Sequence, residues 1–186
     1  MSTFNVSLKR PHRADARRNF DALLAAAREI FAEQGADAPL EDIARRANVG
    51  IGTLYRHFPT RQDLLEAVYV GEVEELCQAA REIEGEPWEA FAEWLERFTD
   101  YVARKLAMRE ALNKDSDVFR ACRDAIVEAS APLFERAQQA GAIRADVSFD
   151  DVLRMTSGIL ASAYESPEQR DRVLRIALDG LKPPAC

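Results

Sequence analysis

Histidine and cysteine are both scarce in this chain, with two of the first (His12 and His57) and three of the second (Cys77, Cys122 and Cys186) in 186 residues. They share no metal-ligand spacing and form no Cys-x-x-Cys pair, so no metal site is expected. Odd, scattered thiols also offer no disulfide framework and suit a reducing compartment. No apolar run reaches the length of a membrane span, and Met1 to His12 lacks the apolar core of a signal peptide. A cytoplasmic protein without a membrane partner is expected. Missing too are a glycine-rich phosphate loop, a convergent set of titratable groups and an evident base beside Ser130 or Cys122. Catalysis would need such groups, so no enzyme activity, no catalytic residue and no cofactor are expected.

What the chain does have is the material of helices. Hydrophobic residues make up 47% and charged residues 31%, with Ala, Leu, Glu and Arg plentiful. No stretch alternates with the period of a strand and no segment repeats, so the reading is an all-α protein of about nine helices. Its length allows a small head joined to a larger body. The formal net charge of −7 is unevenly spread. Ten basic and seven acidic residues occur up to Arg61, giving that part +3 and leaving −10 for the rest. A mildly basic head on an acidic body is a nucleic-acid-reading end attached to something that nucleic acid should not touch.

Periodicity places the elements. Phe20, Leu23, Leu24, Ala27, Ile30 and Phe31 keep a helical period from about Arg17 to Gln34, and Gly35 supplies a stop. Pro59-Thr60 opens a long helix, with Thr60 as N-cap and Asp63 in its first turn, reaching about Glu84 with Gly71 as its weak point. Gly85 and Pro87 precede a helix from about Trp88 to Met108, and Asn113 to Ser116 read as a loop. The next helix runs from about Asp117 to Ala140 and ends at Gly141, with Pro132 inside it expected to kink or break it. Two final helices, Phe149 to about Tyr164 and Glu168 to Leu181, are divided by Ser166-Pro167.

Leu40 to Arg61 is the most informative stretch, because it reads as two short helices around a tight turn. Ile43, Ala44 and Ala47 form the apolar stripe of the first, with Glu41, Arg45 and Arg46 opposite. Asn48 tolerates the left-handed conformation that closes a helix, and Gly50 and Gly52 let the backbone re-enter at a steep angle. Leu54 and Phe58 then face the core, leaving Thr53, Tyr55, Arg56 and His57 outward. Hydroxyls, a guanidinium and an imidazole on a short helix suit phosphates and base edges.

At these residues the chain resembles the tetracycline-repressor (TetR) family of bacterial transcription factors. That pattern has an Ile-Ala pair, a short turn, Gly-Thr-Leu-Tyr, an aromatic or basic residue, His or Tyr, Phe, two more residues and Lys or Arg. Gly52 to Phe58 with Arg61 reproduce it, and the resemblance covers roughly residues 17 to 70. Two positions depart from it: Pro39 stands where an N-capping Thr is common, and Gly50 where a Ser often follows the turn.

The resemblance implies a basic arm over 1–16, expected to be flexible, a helix-turn-helix domain over 17–62, and a helical ligand-binding and dimerisation domain over 63–186. It implies phosphate contacts from Tyr55, His57 and Arg61, with Thr53 and Arg56 nearest the bases and Arg45 and Gly52 alongside. Chemistry agrees that Arg56 can bond both acceptors of a guanine and that Ile51 can meet a thymine methyl. The amides opening the helices at Leu40 and Arg61 suit phosphates. Lys9, Arg10 and Arg13 resemble the arms that some members lay in the minor groove. Double-stranded DNA with a palindromic operator is the implied partner, and two recognition helices about one turn apart require a homodimer. Small and apolar residues mark its seam: Thr156, Gly158 and Ala161 on one helix, Val173, Ala177, Leu178 and Leu181 on the next. The body is implied to hold an unknown small-molecule effector near Trp94, Phe98, Tyr101, Phe119, Cys122 and Ile126. The expectation is therefore a DNA-binding regulator, a ligand-released repressor, with a helical protein-interaction module as the alternative.

Overall fold

The computed structural model describes residues 8–107 and 117–183, and every regular element in them is helical. Eight helices follow in order: α1 Ala14–Gln34, α2 Leu40–Arg46, α3 Ile51–His57, α4 Arg61–Glu82, α5 Pro87–Ala107, α6 Asp117–Gln139, α7 Phe149–Ala161 and α8 Pro167–Asp179. The chain divides into two compact units, Met1–Glu75 with Arg104–Ala125, and Leu76–Ala103 with Ile126–Cys186. Of α4, Arg61 to Glu75 fall in the first unit and Leu76 to Glu82 in the second. The Asn113 to Ser116 loop lies outside the described residues.

In the first unit α1 buries Phe20, Leu23, Leu24, Ala26, Ala27, Ile30 and Phe31, the side its period marks as apolar. Gly35 stops it at φ 83°, its amide donating to the Phe31 carbonyl at 3.0 Å. Leu40, Ile43 and Ala44 of α2, Leu54 of α3 and Leu64, Leu65 and Val68 of α4 complete the core. The start of α4 is a reciprocal box: the Thr60 amide and hydroxyl both donate to the Asp63 carboxylate, and the Asp63 amide donates back to the Thr60 hydroxyl at 3.1 Å. Of the amides that open α4, that of Asp63 is thereby occupied.

Two features of this unit were not foreseen. The arm is docked from Leu8 to Arg10: the Leu8 amide donates to Glu74 at 2.7 Å, and the Arg10 guanidinium pairs with Glu74 at 3.0 Å and Asp21 at 3.4 Å. Gly71, read as the weak point of α4, is instead where Leu8 packs; a Cβ there would stand 3.4 Å from Leu8 Cδ1. Second, Glu72, only 3% exposed, lies between two guanidiniums, Arg28 Nε of α1 at 2.5 Å and Arg104 Nε of α5 at 2.6 Å. Arg28 also reaches Glu75 through both terminal nitrogens, at 2.9 and 2.8 Å. Burial works against the Arg28 charge, yet the Glu75 hydrogen bond and the Glu72 carboxylate more than offset it and raise its pKa.

In the second unit α6 continues through Pro132 without the break that was one of the two outcomes expected there. Pro132 is exposed, so water can satisfy the carbonyl it fails to pair, and Leu133, Phe134 and Ala137 beyond it stay in the core. Gly141 closes α6 at φ 71°. Phe91 and Trp94 of α5, Phe134 of α6 and Phe149 of α7 form an aromatic cluster, with Phe134 and Phe149 5.4 Å apart and Trp94 5.7 Å from Phe149. Ser148 and Asp151 form a capping box at the head of α7, and the Ser148 hydrogen bonds hold the Asp151 carboxyl below the usual range. Ser166 caps α8, which buries no residue. Among the described residues no helix is long and apolar enough to cross a membrane.

Candidate nucleic-acid interface

The angle between α2 and α3 is set by one residue. Ala47 closes α2, Asn48 follows at φ 53°, and Val49 ends the reversal. The Val49 amide donates to the Ala44 carbonyl at 2.9 Å and the Asn48 amide to that of Arg45 at 3.1 Å, a complete Schellman closure around a left-handed residue. Asn48 is the one non-glycine residue with positive φ among those described. Gly50, by contrast, sits at φ −64° and ψ 140°, open to any residue, and Gly52 is ordinary helix. The steep re-entry thus belongs to Asn48 and not to the glycines. Around both glycines an added Cβ would meet nothing within 4 Å.

With Leu54 buried and Phe58 behind it, α3 turns its other face out. Tyr55 is 46% exposed and Ile51 is exposed beside it. Arg56 is exposed and lies back along its own helix, donating from Nε to the Gly52 carbonyl at 3.1 Å, and no carboxylate pairs with it among the described residues. Thr53 and His57 are half-buried. The His57 ring packs edge-on to Phe20 at 5.8 Å, so it is held in place while one side remains open. Arg45 is exposed and paired with Asp42 at 2.6 Å, whereas Arg46 is drawn back to Glu29 and Glu33 of α1.

Arg61 differs most from expectation. Its Nη1 donates to the carbonyls of Ala36 and Ala38, at 2.9 and 2.5 Å, closing the α1–α2 connection. A guanidinium half-buried on two carbonyls is first a structural clamp, and any phosphate contact falls to its remaining donors. Lys9 and Arg13 are exposed, but Arg10 is committed to Glu74 and Asp21. The sequence carried no signal for this, because the arm and its carboxylate lie 64 positions apart.

The body residues separate. Trp94, Phe98, Tyr101 and Ile126 are buried in the second unit, Trp94 stacked on Phe98 at 5.4 Å and Phe98 5.9 Å from Tyr101. Phe119 and Cys122 belong to the first, where Phe119 stacks on Tyr69 at 5.3 Å under Lys105. Phe91, Phe134 and Phe149 join the Trp94 group and were not foreseen as its members. Of the proposed seam, Gly158 and Ala161 are exposed and Val173, Ala177 and Leu178 half-buried. Thr156 and Leu181 are already buried within the single chain and are not presented to a partner.

A short exposed helix, held over a tight turn by two helices that carry the core, defines a helix-turn-helix DNA-binding protein. Comparison makes the class particular. Residues 23–68 match the bacterial regulatory proteins of the tetR family, and residues 86–183 match the transcriptional regulator SbtR-like C-terminal domain. A TetR transcriptional regulator from Streptomyces coelicolor is 42% identical, with 89% of this chain and 99% of that one covered and a TM-score of 0.76. A TetR transcription regulatory protein from Mycobacterium vanbaalenii is 33% identical over 93% of this chain and 100% of that one, with a TM-score of 0.74. This chain belongs to the TetR family of transcriptional regulators, DNA-binding proteins that are not enzymes.

Proposed function

We propose that this regulator is a repressor that binds a palindromic operator as a homodimer and lets go when a small molecule enters its body. The observation that carries the reading is the outer face of α3: Ile51, Gly52, Tyr55 and Arg56 are exposed together on a helix whose opposite side is anchored by Leu54. A glycine inside a helix, with neither a positive φ nor a neighbour in its own chain, is unexplained by the fold; close approach of a phosphate backbone explains it. Two-fold pairing is supported by α8, which buries nothing and leaves Ile176 72% exposed. A homodimer seam over Gly158, Ala161, Val173, Ile176, Ala177 and Leu178 would cover it. Effector control is supported by the size of the second unit, which the reading of DNA does not require.

Gel shifts across the DNA flanking the gene test the reading. A retarded band over a palindrome is expected, with affinity falling steeply as salt rises because phosphate contacts supply much of the binding. No retardation at low salt would overturn it and favour a protein-interaction role.

A further inference from the structure

Among the described residues, four buried side-chain polar atoms lack a hydrogen-bond partner: Arg28 Nε, Glu72 Oε1, Trp94 Nε1 and Thr156 Oγ1. The first two stand 2.5 Å apart as an ion pair and so serve each other. The other two belong to the second unit, on α5 and α7, helices that meet where Trp94 packs on Phe149. Both residues are 0% exposed, so water in bulk does not reach them. Thr156 is the more telling, because a helical hydroxyl ordinarily turns back on the carbonyl four residues earlier. Ser130 does so, donating to the Ile126 carbonyl at 2.5 Å. Buried polar groups in native proteins are paired almost without exception, and two orphans in one unit ask for a partner that the described residues do not supply.

The geometry points to an effector site in this core, recognising a flat, uncharged molecule through a carbonyl-type oxygen that accepts from Trp94 Nε1, with Thr156 as the second polar contact. The chemistry of the two groups fixes the class. An indole N–H only donates, so the ligand must offer an acceptor, whereas the hydroxyl takes either role. The walls are Phe91, Phe98, Phe134 and Phe149. A flat ring entering them exchanges ring-on-ring contacts for contacts of the same kind, while the hydrogen bond to Nε1 is gained outright. Charge is excluded because the described core of this unit holds no buried ionised side chain; the buried carboxylate, Glu72, lies in the other unit. The inference rests on the effector-controlled reading above and gives that effector its chemistry.

Equilibrium dialysis of the full-length protein against 2-acetylnaphthalene and 2-ethylnaphthalene, alike in shape but for the carbonyl, tests the site. The ketone should bind about tenfold or more tightly than the hydrocarbon. Trp94→Phe keeps a ring without the donor and should bring the ratio close to one. Thr156→Val, which keeps shape and removes an orphan, should fold at least as well as the parent and reduce the ratio. In wild-type protein only two indole N–H resonances exist, from Trp88 and Trp94; the one missing in Trp94→Phe should move downfield with the ketone and stay in place with the hydrocarbon. No ketone binding, equal affinities, or an unmoved Trp94 resonance would each overturn the assignment. Operator affinity separates the two claims. A ketone that shifts the Trp94 resonance without weakening operator binding sinks the release reading and leaves the site standing, whereas release without that shift does the reverse.

Discussion

Gly52 is a residue the fold would gladly replace. It lies inside α3 with no neighbour where its Cβ would be, and alanine at a helical position is favoured by up to about 1 kcal/mol. Gly52→Ala should therefore raise the melting temperature by about 2 to 4 °C while weakening operator binding, read by calorimetry and gel shift on one preparation. Stability and binding moving in the same direction would contradict the role given to this position. Arg56 and Arg61 divide differently from the sequence-based reading. Arg56→Ala should leave unfolding unchanged within about 0.5 kcal/mol and lose about 1 to 3 kcal/mol of discrimination at one base pair. Arg61→Ala strips the Ala36 and Ala38 carbonyls of their donor and should lower stability by about 1 to 3 kcal/mol, with binding falling as a consequence. An Arg61→Ala protein of native stability that still binds poorly would restore its purely phosphate-contacting role.

Among the elements, helices with strong local signals were legible and long-range ties were not. α1 ends at Gly35, α4 begins at the Thr60–Asp63 box and α8 follows Ser166-Pro167, each punctuated by residues whose conformational preference acts within three or four positions. The motif of α2 and α3 was read from the same local grammar, though the turn works through Asn48 and not through the glycines. Pro132 carries a strong local rule, but its exposed site lets the helix continue without a break. Nothing local could show that Arg10 meets Glu74, that Thr156 turns inward, or that Glu72 joins α1 to α5, since each depends on which helix faces come together. The Glu72 triad can be measured as a cycle of urea unfolding. Arg104→Ala leaves Glu72 with Arg28 and should cost under about 1 kcal/mol; Arg28→Ala, which also frees Glu75, should cost about 1 to 2 kcal/mol after allowance for its partial exposure. The double variant strands a buried carboxylate and should cost more than the sum, about 3 to 5 kcal/mol in all. Strict additivity would show that Glu72 is not shared.

For the molecule as a whole, the proposed two-fold assembly would turn the exposed apolar face of α8 from a defect in one chain into a seam between two. Ile176→Glu places a charge at a site 72% exposed in the single chain, so that chain should keep its helicity and melting behaviour while light scattering falls from the mass of a dimer to that of a monomer. Operator affinity should fall with it, since one head reads too few base pairs. A dimeric Ile176→Glu protein would move the seam elsewhere. On the proposed two-fold assembly, that bare helix also shapes how the protein responds to its own supply. Where chains are dilute, the concentration of paired molecules grows as the square of the concentration of chains, so a twofold fall in that concentration removes about three quarters of the competent form. A gene guarded in this way is released in bursts by chance shortage and held firmly in plenty, a threshold written into the side chains of one thirteen-residue helix.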